Sequence, residues 1–431
     1  MKSKLKTYWN SEYLKNFGAL AGSEGIAQAI QIGVSPLLTR IYTPVEFGQY
    51  ELFKSITLLL AVIGFLQFDV TIYSAKTEKE GINAFGLSAV VLAGICFLSF
   101  IFILSFNDFF IKMIGAEIKE GWSWSVPLYV FFSGTTTLLL VWMTKEGTFL
   151  LMSKIKILVS ILVAITQIGF GLLNWGYWGL LYSTIIVQII AFSIYLYPFI
   201  RVNYRNFKLI ELNEIKKTIQ VNWRLPMLVL PGNFLNNFVQ TLPVFFLGRI
   251  DPNVLGYYSL ARRVIDFPLK FITAAVQRLY VKELTDEINA TGIGKNAFIK
   301  NLKLYTIISI VLFIGILIFT KPVLPILFGK EWAPATPFII ILGLLFSIRF
   351  IFGSLSFVMV LGKAPKLDIL WQVGFGVLVF LSFWLAEFVK LTTYQTILLY
   401  VIVSILCYFI YGFICKVVAE SEKYLKIKEE I

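Results

Sequence analysis

Apolar residues in this chain gather into long unbroken runs separated by short polar segments. Twelve runs stand out, near residues 17–39, 47–68, 83–106, 123–143, 157–174, 177–200, 223–248, 254–280, 303–320, 335–361, 368–388 and 394–415. A hydrocarbon core about 30 Å thick is crossed by an α-helix of about 20 apolar residues. A transmembrane β-barrel would show alternating stretches of about 10 residues instead. The pattern therefore predicts an all-α polytopic membrane protein with about twelve transmembrane helices. Only Trp175 and Gly176 separate the fifth run from the sixth, and the eighth run is the least apolar.

Composition agrees with the pattern. Of 431 residues, 58% are apolar and 15% charged, and the mean hydropathy is +0.80. Soluble domains carry roughly 45–50% apolar and about 25% charged residues. The polar segments are too short for a soluble catalytic domain, an ATPase module or a large periplasmic domain. There is no histidine, which removes His–Asp and Ser–His dyads and imidazole metal ligands. No metal or other cofactor is expected. Cys96, Cys407 and Cys415 sit in apolar runs and read as small buried hydrophobes. The basic N-terminal segment reads as a cytoplasmic tail before a retained helix, not a signal peptide.

Basic residues orient the chain. With the N-terminus inside, 25 of the 38 lysines and arginines fall in cytoplasmic segments, seven in external loops and six within the runs. Both termini are expected in the cytoplasm. The net charge of +13 reads as this topology signal and as contact with anionic membrane lipids, not nucleic acid.

Two segments match at a constant offset of 208: Pro44-Val-Glu-Phe-Gly48-Gln-Tyr50-Glu-Leu52-Phe-Lys54 and Pro252-Asn-Val-Leu-Gly256-Tyr-Tyr258-Ser-Leu260-Ala-Arg262. Each leads from an external loop into an even-numbered run. The chain is read as two six-helix bundles, residues 1–200 and 223–431, joined by a basic cytoplasmic linker, residues 201–222. The two are parallel repeats about an axis along the membrane normal, a transporter design.

Ionisable residues inside spanning helices are costly and mark function by default. Lys54 and Arg262 occupy equivalent places in the repeat and are expected to face each other across the gap between halves. Arg262, Asp266 and Lys270 are four apart and share one helix face. Arg263 is one step off that face, and Arg349 lies deep in the tenth run. Arg278 is placed near a helix end. The buried acids Glu24, Glu51, Asp69, Asp266 and Glu387 are candidates for coupling a proton or sodium ion, or for balancing a neighbouring base. Tyr50 and Tyr258 are candidates for stacking on sugars.

The stretch Ser35-Pro-Leu-Leu-Thr39-Arg40-Ile-Tyr42-Thr-Pro44-Val-Glu-Phe47-Gly48-Gln-Tyr50 resembles the first-loop signature of bacterial polysaccharide-repeat flippases. These are the O-antigen (Wzx-type) translocases of the multidrug/oligosaccharidyl-lipid/polysaccharide (MOP) superfamily. The stretch from Gly256 to Pro268, and that from Leu327 to Ala335, look similar too. The resemblance implies a V-shaped pair of six-helix bundles around a central cationic cavity in the bacterial cytoplasmic membrane. It implies an undecaprenyl-diphosphate-linked oligosaccharide, moved from the inner to the outer leaflet for O-antigen, capsule or exopolysaccharide assembly. Partners would include a polysaccharide polymerase and a chain-length regulator. Lys54 and Arg262 match positions of cavity cations in related flippases, and Arg40 matches the signature arginine. Arg263, Lys270 and Arg349 complete the expected headgroup set. A cation-coupled drug or small-solute exporter of the same superfamily is the main rival. A membrane polymerase or glycosyltransferase is a further one, disfavoured by the lack of a long external loop with catalytic residues.

Overall fold

In a bilayer, backbone N–H and C=O groups have no water to bond, and a helix satisfies them within one segment. The computed structural model describes residues 12–107, 122–361 and 364–421, and among these every regular element is helical. The long helices are α1 (Glu12–Ile41), α2 (Pro44–Ile63), α3 (Glu78–Ser105), α4 (Trp122–Lys145), α5 (Phe149–Leu172) and α6 (Tyr177–Asn203). After a short helix α7 (Leu212–Asn222) come α8 (Leu230–Ile250), α9 (Pro252–Thr291), α10 (Lys295–Phe328), α11 (Thr336–Leu355), α12 (Pro365–Phe388) and α13 (Thr393–Glu420). The chain is a multi-pass membrane protein.

Among the described residues, eight helices are long and apolar enough to cross a membrane. A ninth span arises if α2 is counted with the bent continuation Phe68–Ser74, turned by 60°. Twelve spans were expected, and the shortfall has a physical reason. The remaining long helices are the polar ones: α1 carries Glu24, Gln28 and Gln31, α8 carries three asparagines and Gln240, and α9 carries Arg262, Arg263, Asp266 and Lys270. The bend after α2 runs through Leu66 and Gln67, both at positive φ.

Contacts divide the chain into two units, Met1–Phe238 and Val239–Ile431. In the first, α1 packs along α5, α3 against α4, and α4 and α5 against α6. Its core holds an aromatic cluster in which Phe85 stacks on Phe199 at 4.6 Å and both meet Trp142 edge-on. In the second unit, α11 packs against α9, α10 and α13, and α12 against α13. There Tyr305 donates to the Val276 carbonyl at 3.1 Å and Tyr280 to that of Leu355 at 3.3 Å.

The basic segment expected as a linker loop contains α7. Its apolar residues Leu212, Ile215 and Ile219 recur at helical spacing between lysines, which gives an amphipathic surface helix. Lys79 ties it to α3, bonding Glu211 at 3.0 Å and Glu214 at 3.6 Å. The soft boundary between the fifth and sixth runs is a tight turn. Asn174 and Gly176 take positive φ, and a Cβ on Gly176 would lie 2.5 Å from a Glu46 carboxylate oxygen.

Candidate functional site

The stretch that carries the family resemblance builds a corner between α1 and α2. Thr43 caps α2 in a capping box with Glu46, and Pro44 occupies the first turn. Such a box pairs two otherwise orphaned N–H groups. Tyr42, 2% exposed, donates to the Gln167 carbonyl at 2.7 Å. Its ring lies where a Cβ on Gly171 would sit, 2.9 Å away. Phe47 is buried and meets Tyr42 edge-on. Arg40 is exposed in the last turn of α1. The second half repeats the device: Asp251 caps α9 by accepting from the Asn253 N–H, and Pro252 takes the first turn.

One helical turn further into α2 stands a polar wall of the first unit. Tyr50 shares a 2.7 Å hydrogen bond with Thr184 of α6. Lys54 lies over the Tyr50 ring at 5.8 Å and pairs with Glu51 at 3.6 Å. The Glu51 side chain is 12% exposed and that of Lys54 48%. Phe53 of α2 is fully buried against Trp122 and Tyr129.

The second unit holds a small, partly open pocket, with a cavity volume of about 20 Å³. Arg262 of α9 and Arg349 of α11 both line it, with Gln240 of α8, Tyr258 of α9, and Tyr400 and Tyr408 of α13. Arg349 donates through Nη2 to the Gln240 Oε1 at 2.6 Å. Its guanidinium lies 5.9 Å from the Phe346 ring centroid, and that of Arg262 lies 5.9 Å from the Tyr258 ring centroid. No carboxylate is among the described residues that line the pocket. Arginine presents a planar fork of donors that fits phosphate and carboxylate oxygens, so two guanidinium groups set among phenols and apolar walls are chemically suited to an anion.

The structure thus brings together Arg262 and Arg349, which are far apart in sequence. Arg263 is half-buried beside Arg262 and is not among the lining residues. The side chains of Asp266 and Lys270 lie outside the described residues. Glu24 bonds Gln28 and pairs with Lys156 of α5. Asp69 sits half-buried in the turn Phe68–Val70. Gln240, Tyr400 and Tyr408 were missed in the sequence. Gln240 had one available signal, an amide in a run that also carries three asparagines; the tyrosines had none, since aromatic residues abound in these helices. Asp368 was also missed. It accepts from Tyr411 at 2.6 Å and from Gln372 at 2.9 Å, joining α12 to α13.

Residues 37–337 match the family model described as polysaccharide biosynthesis protein. Over 158 residues the chain is 22% identical to the teichuronic acid biosynthesis protein TuaB of Bacillus subtilis strain 168, covering 36% of this chain and 33% of that protein. The match thus spans about a third of that relative's length. Three solved structures share the fold. The lipid II flippase MurJ in an inward closed conformation aligns with a TM-score of 0.66 at 13% identity, over 92% of this chain and 86% of that one. The MATE transporter VcmN of Vibrio cholerae gives 0.59 at 13%, over 94% and 95%. A MOP superfamily transporter from Pyrococcus furiosus gives 0.56 at 11%, over 94% and 96%. The chain shares its fold with these solved proteins, which are described as a flippase and transporters.

Proposed function

The chain belongs to the polysaccharide biosynthesis protein family, and from that premise we propose that it is a flippase for undecaprenyl-diphosphate-linked oligosaccharide. It carries the headgroup from the cytoplasmic to the outer leaflet of the cytoplasmic membrane by alternating access, while the lipid tail stays in the bilayer. The observation that carries this reading is the Arg262–Arg349 pocket, lined among its described residues by no acid. A diphosphate crossing a low-dielectric region needs charged donors to replace its water, and each such hydrogen bond is worth roughly 1.5–3 kcal/mol. A cation-accepting drug exporter would need acidic or purely apolar walls, so the pocket disfavours that rival.

Both termini lie in the cytoplasm in this reading, as the split of basic residues suggests. In a cysteine-free background, a cysteine at Lys330 labels with an impermeant thiol reagent from outside and one at Lys216 does not; reversed labelling overturns the orientation. A coupled proton or sodium ion, a polymerase and a chain-length regulator are the partners this function would use. The decisive experiment measures flipping of lipid-linked oligosaccharide in proteoliposomes. Arg262→Gln and Arg349→Gln each slow it by about tenfold or more, the loss of one charge-assisted contact. Wild-type flipping by both variants removes the proposal.

A further inference from the structure

Two hydroxyl groups in the second unit's pocket are not used up within the protein. Tyr400 and Tyr408 of α13 both line the pocket and are only 9% and 7% exposed. Among the described residues, neither hydroxyl takes part in a hydrogen bond. The rings are fixed by aromatic neighbours: Tyr400 stacks on Phe383 at 5.4 Å, and Tyr408 meets Trp371 at 5.4 Å and Phe375 at 5.5 Å. A ring packed in this way cannot swing its hydroxyl elsewhere, and the O–H keeps only rotation about its own C–O bond. A buried hydroxyl without a partner costs about 1–3 kcal/mol. A ligand in the pocket relieves that cost.

The groups around these hydroxyls select the ligand. The Arg262 and Arg349 charges both act on the Tyr400 hydroxyl, and the Arg349 charge acts on that of Tyr408. Guanidinium groups donate and never accept. A phenol oxygen near them turns its lone pairs toward the positive charge and its proton away from it. The Gln240 amide oxygen on the same wall already takes a 2.6 Å bond from Arg349 Nη2. A sugar hydroxyl brings a proton that needs an acceptor. A phosphoryl group brings three strongly accepting oxygens and can take several donors at once. Size points the same way. A cavity volume of about 20 Å³ is room for roughly one or two water-sized groups. The protruding oxygens of one phosphoryl group fit that space, and a sugar ring does not.

We propose, on the flippase reading given above, that Tyr400 and Tyr408 are phosphate-binding residues, whose hydroxyls donate to the oxygens of a single phosphoryl group held by Arg262 and Arg349. The pocket takes one phosphoryl group of the diphosphate and leaves the sugar outside. The phenols add contacts to the anion without adding to the charge that its release must overcome.

The test measures binding to purified protein in nanodiscs with two probes, undecaprenyl diphosphate and undecaprenyl phosphate. The melting temperature of the ligand-free protein is measured beside it. Tyr400→Phe and Tyr408→Phe keep the ring and remove one oxygen each. Each weakens binding of both probes by about tenfold, the loss of one hydrogen bond to a charged group. The ligand-free melting temperature stays level or rises, because the oxygen removed had no partner there. Wild-type binding by both variants overturns the proposal. A fall in the ligand-free melting temperature overturns it too, since the hydroxyl then has a structural partner. A loss confined to the diphosphate rules out a pocket for a single phosphoryl group. Arg262→Gln and Arg349→Gln report on the flippase reading itself. If both leave both probes bound as in wild type, that reading fails; if they alone weaken binding, only the roles of Tyr400 and Tyr408 fail.

Discussion

Replacing Gln240 with glutamate puts a carboxylate where an amide oxygen now accepts from Arg349 at 2.6 Å. The shape barely changes, but the formal charge of the pocket falls by one. Two unit charges about 4 Å apart attract by about 4 kcal/mol at an effective dielectric of about 20. The pocket is partly open to solvent, so screening and the cost of desolvating the new carboxylate reduce this to ~1–2 kcal/mol. Two effects of opposite sign follow. The new ion pair raises thermal stability, with a melting temperature higher by about 2 °C or more. The same pair occupies the guanidinium that an anionic headgroup needs, so flipping in proteoliposomes falls by roughly 5- to 30-fold. Gln240→Leu serves as the control: it removes the contact that orients Arg349 but leaves its charge available, and its loss stays within about fivefold. A folding defect lowers stability and rate together and cannot give this pair of results. Flipping by Gln240→Glu at the wild-type rate, with the melting temperature raised, would refute the assignment of Arg349 to the anion.

Three other outcomes test separate parts of the molecule. Tyr42→Phe removes the hydrogen bond to the Gln167 carbonyl and lowers stability by about 1 kcal/mol. Gly171→Ala drives a methyl into Ile41 Cγ2 and the Tyr42 ring and costs about 1–3 kcal/mol. Both appear as lower melting temperatures in detergent, with flipping per folded protein unchanged; a selective loss of flipping would instead make the corner part of the transport site. At the far end of α9, Lys300 bonds Glu283 at 2.6 Å and Asn301 bonds it at 2.9 Å, holding its carboxyl below the ordinary value of 4.5. A depressed carboxyl stabilises the fold fully above its unfolded value, near 4.5, and loses that contribution as pH falls through the folded value. Glu283→Gln therefore flattens the acid limb of melting temperature against pH, and an unchanged limb excludes the cluster as its source. Finally, two negative charges moving outward across 100 mV gain about 4.6 kcal/mol. An imposed inside-negative potential then accelerates outward flipping without a proton or sodium gradient, and insensitivity to the sign of the potential contradicts an uncompensated anionic headgroup.

Hydropathy carried much of the fold, because continuous apolar runs and helical spans answer to the same requirement of hydrocarbon. It failed where function enters. The helices that fall outside the apolar test, α1, α8 and α9, are those whose polar residues lower their hydropathy, and α8 and α9 supply Gln240, Tyr258 and Arg262 to the pocket. The site was half legible. Arg262 and Arg349 announce themselves as charges in apolar runs, but nothing in one sequence says that α9 and α11 pack side by side. Pairings across the chain, such as Glu24 with Lys156, need the register of α1 along α5 and could not be read. The pairing of Glu51 with Lys54 was readable from their spacing of three.

The internal repeat separates what the fold requires from what the chemistry requires. The features that recur at the offset of 208 are a capping side chain, Thr43 or Asp251, a proline in the first turn, and a buried glycine, tyrosine and leucine. Each serves to start a helix or to bury its face, and none distinguishes one substrate from another. Among the positions that differ, two exchange an acid for a neutral residue, Glu46 against Val254 and Glu51 against Ser259. A repeat under structural demands alone has no reason to lose an acid beside a retained cation, since the pair helps hold the helix. Where the first half has Glu51 one turn before Lys54, the second has Ser259 there and Asp266 one turn after Arg262. The family resemblance, which rests on the helix-starting residues, therefore identifies the architecture, while substrate chemistry is to be sought where the two halves differ in charge.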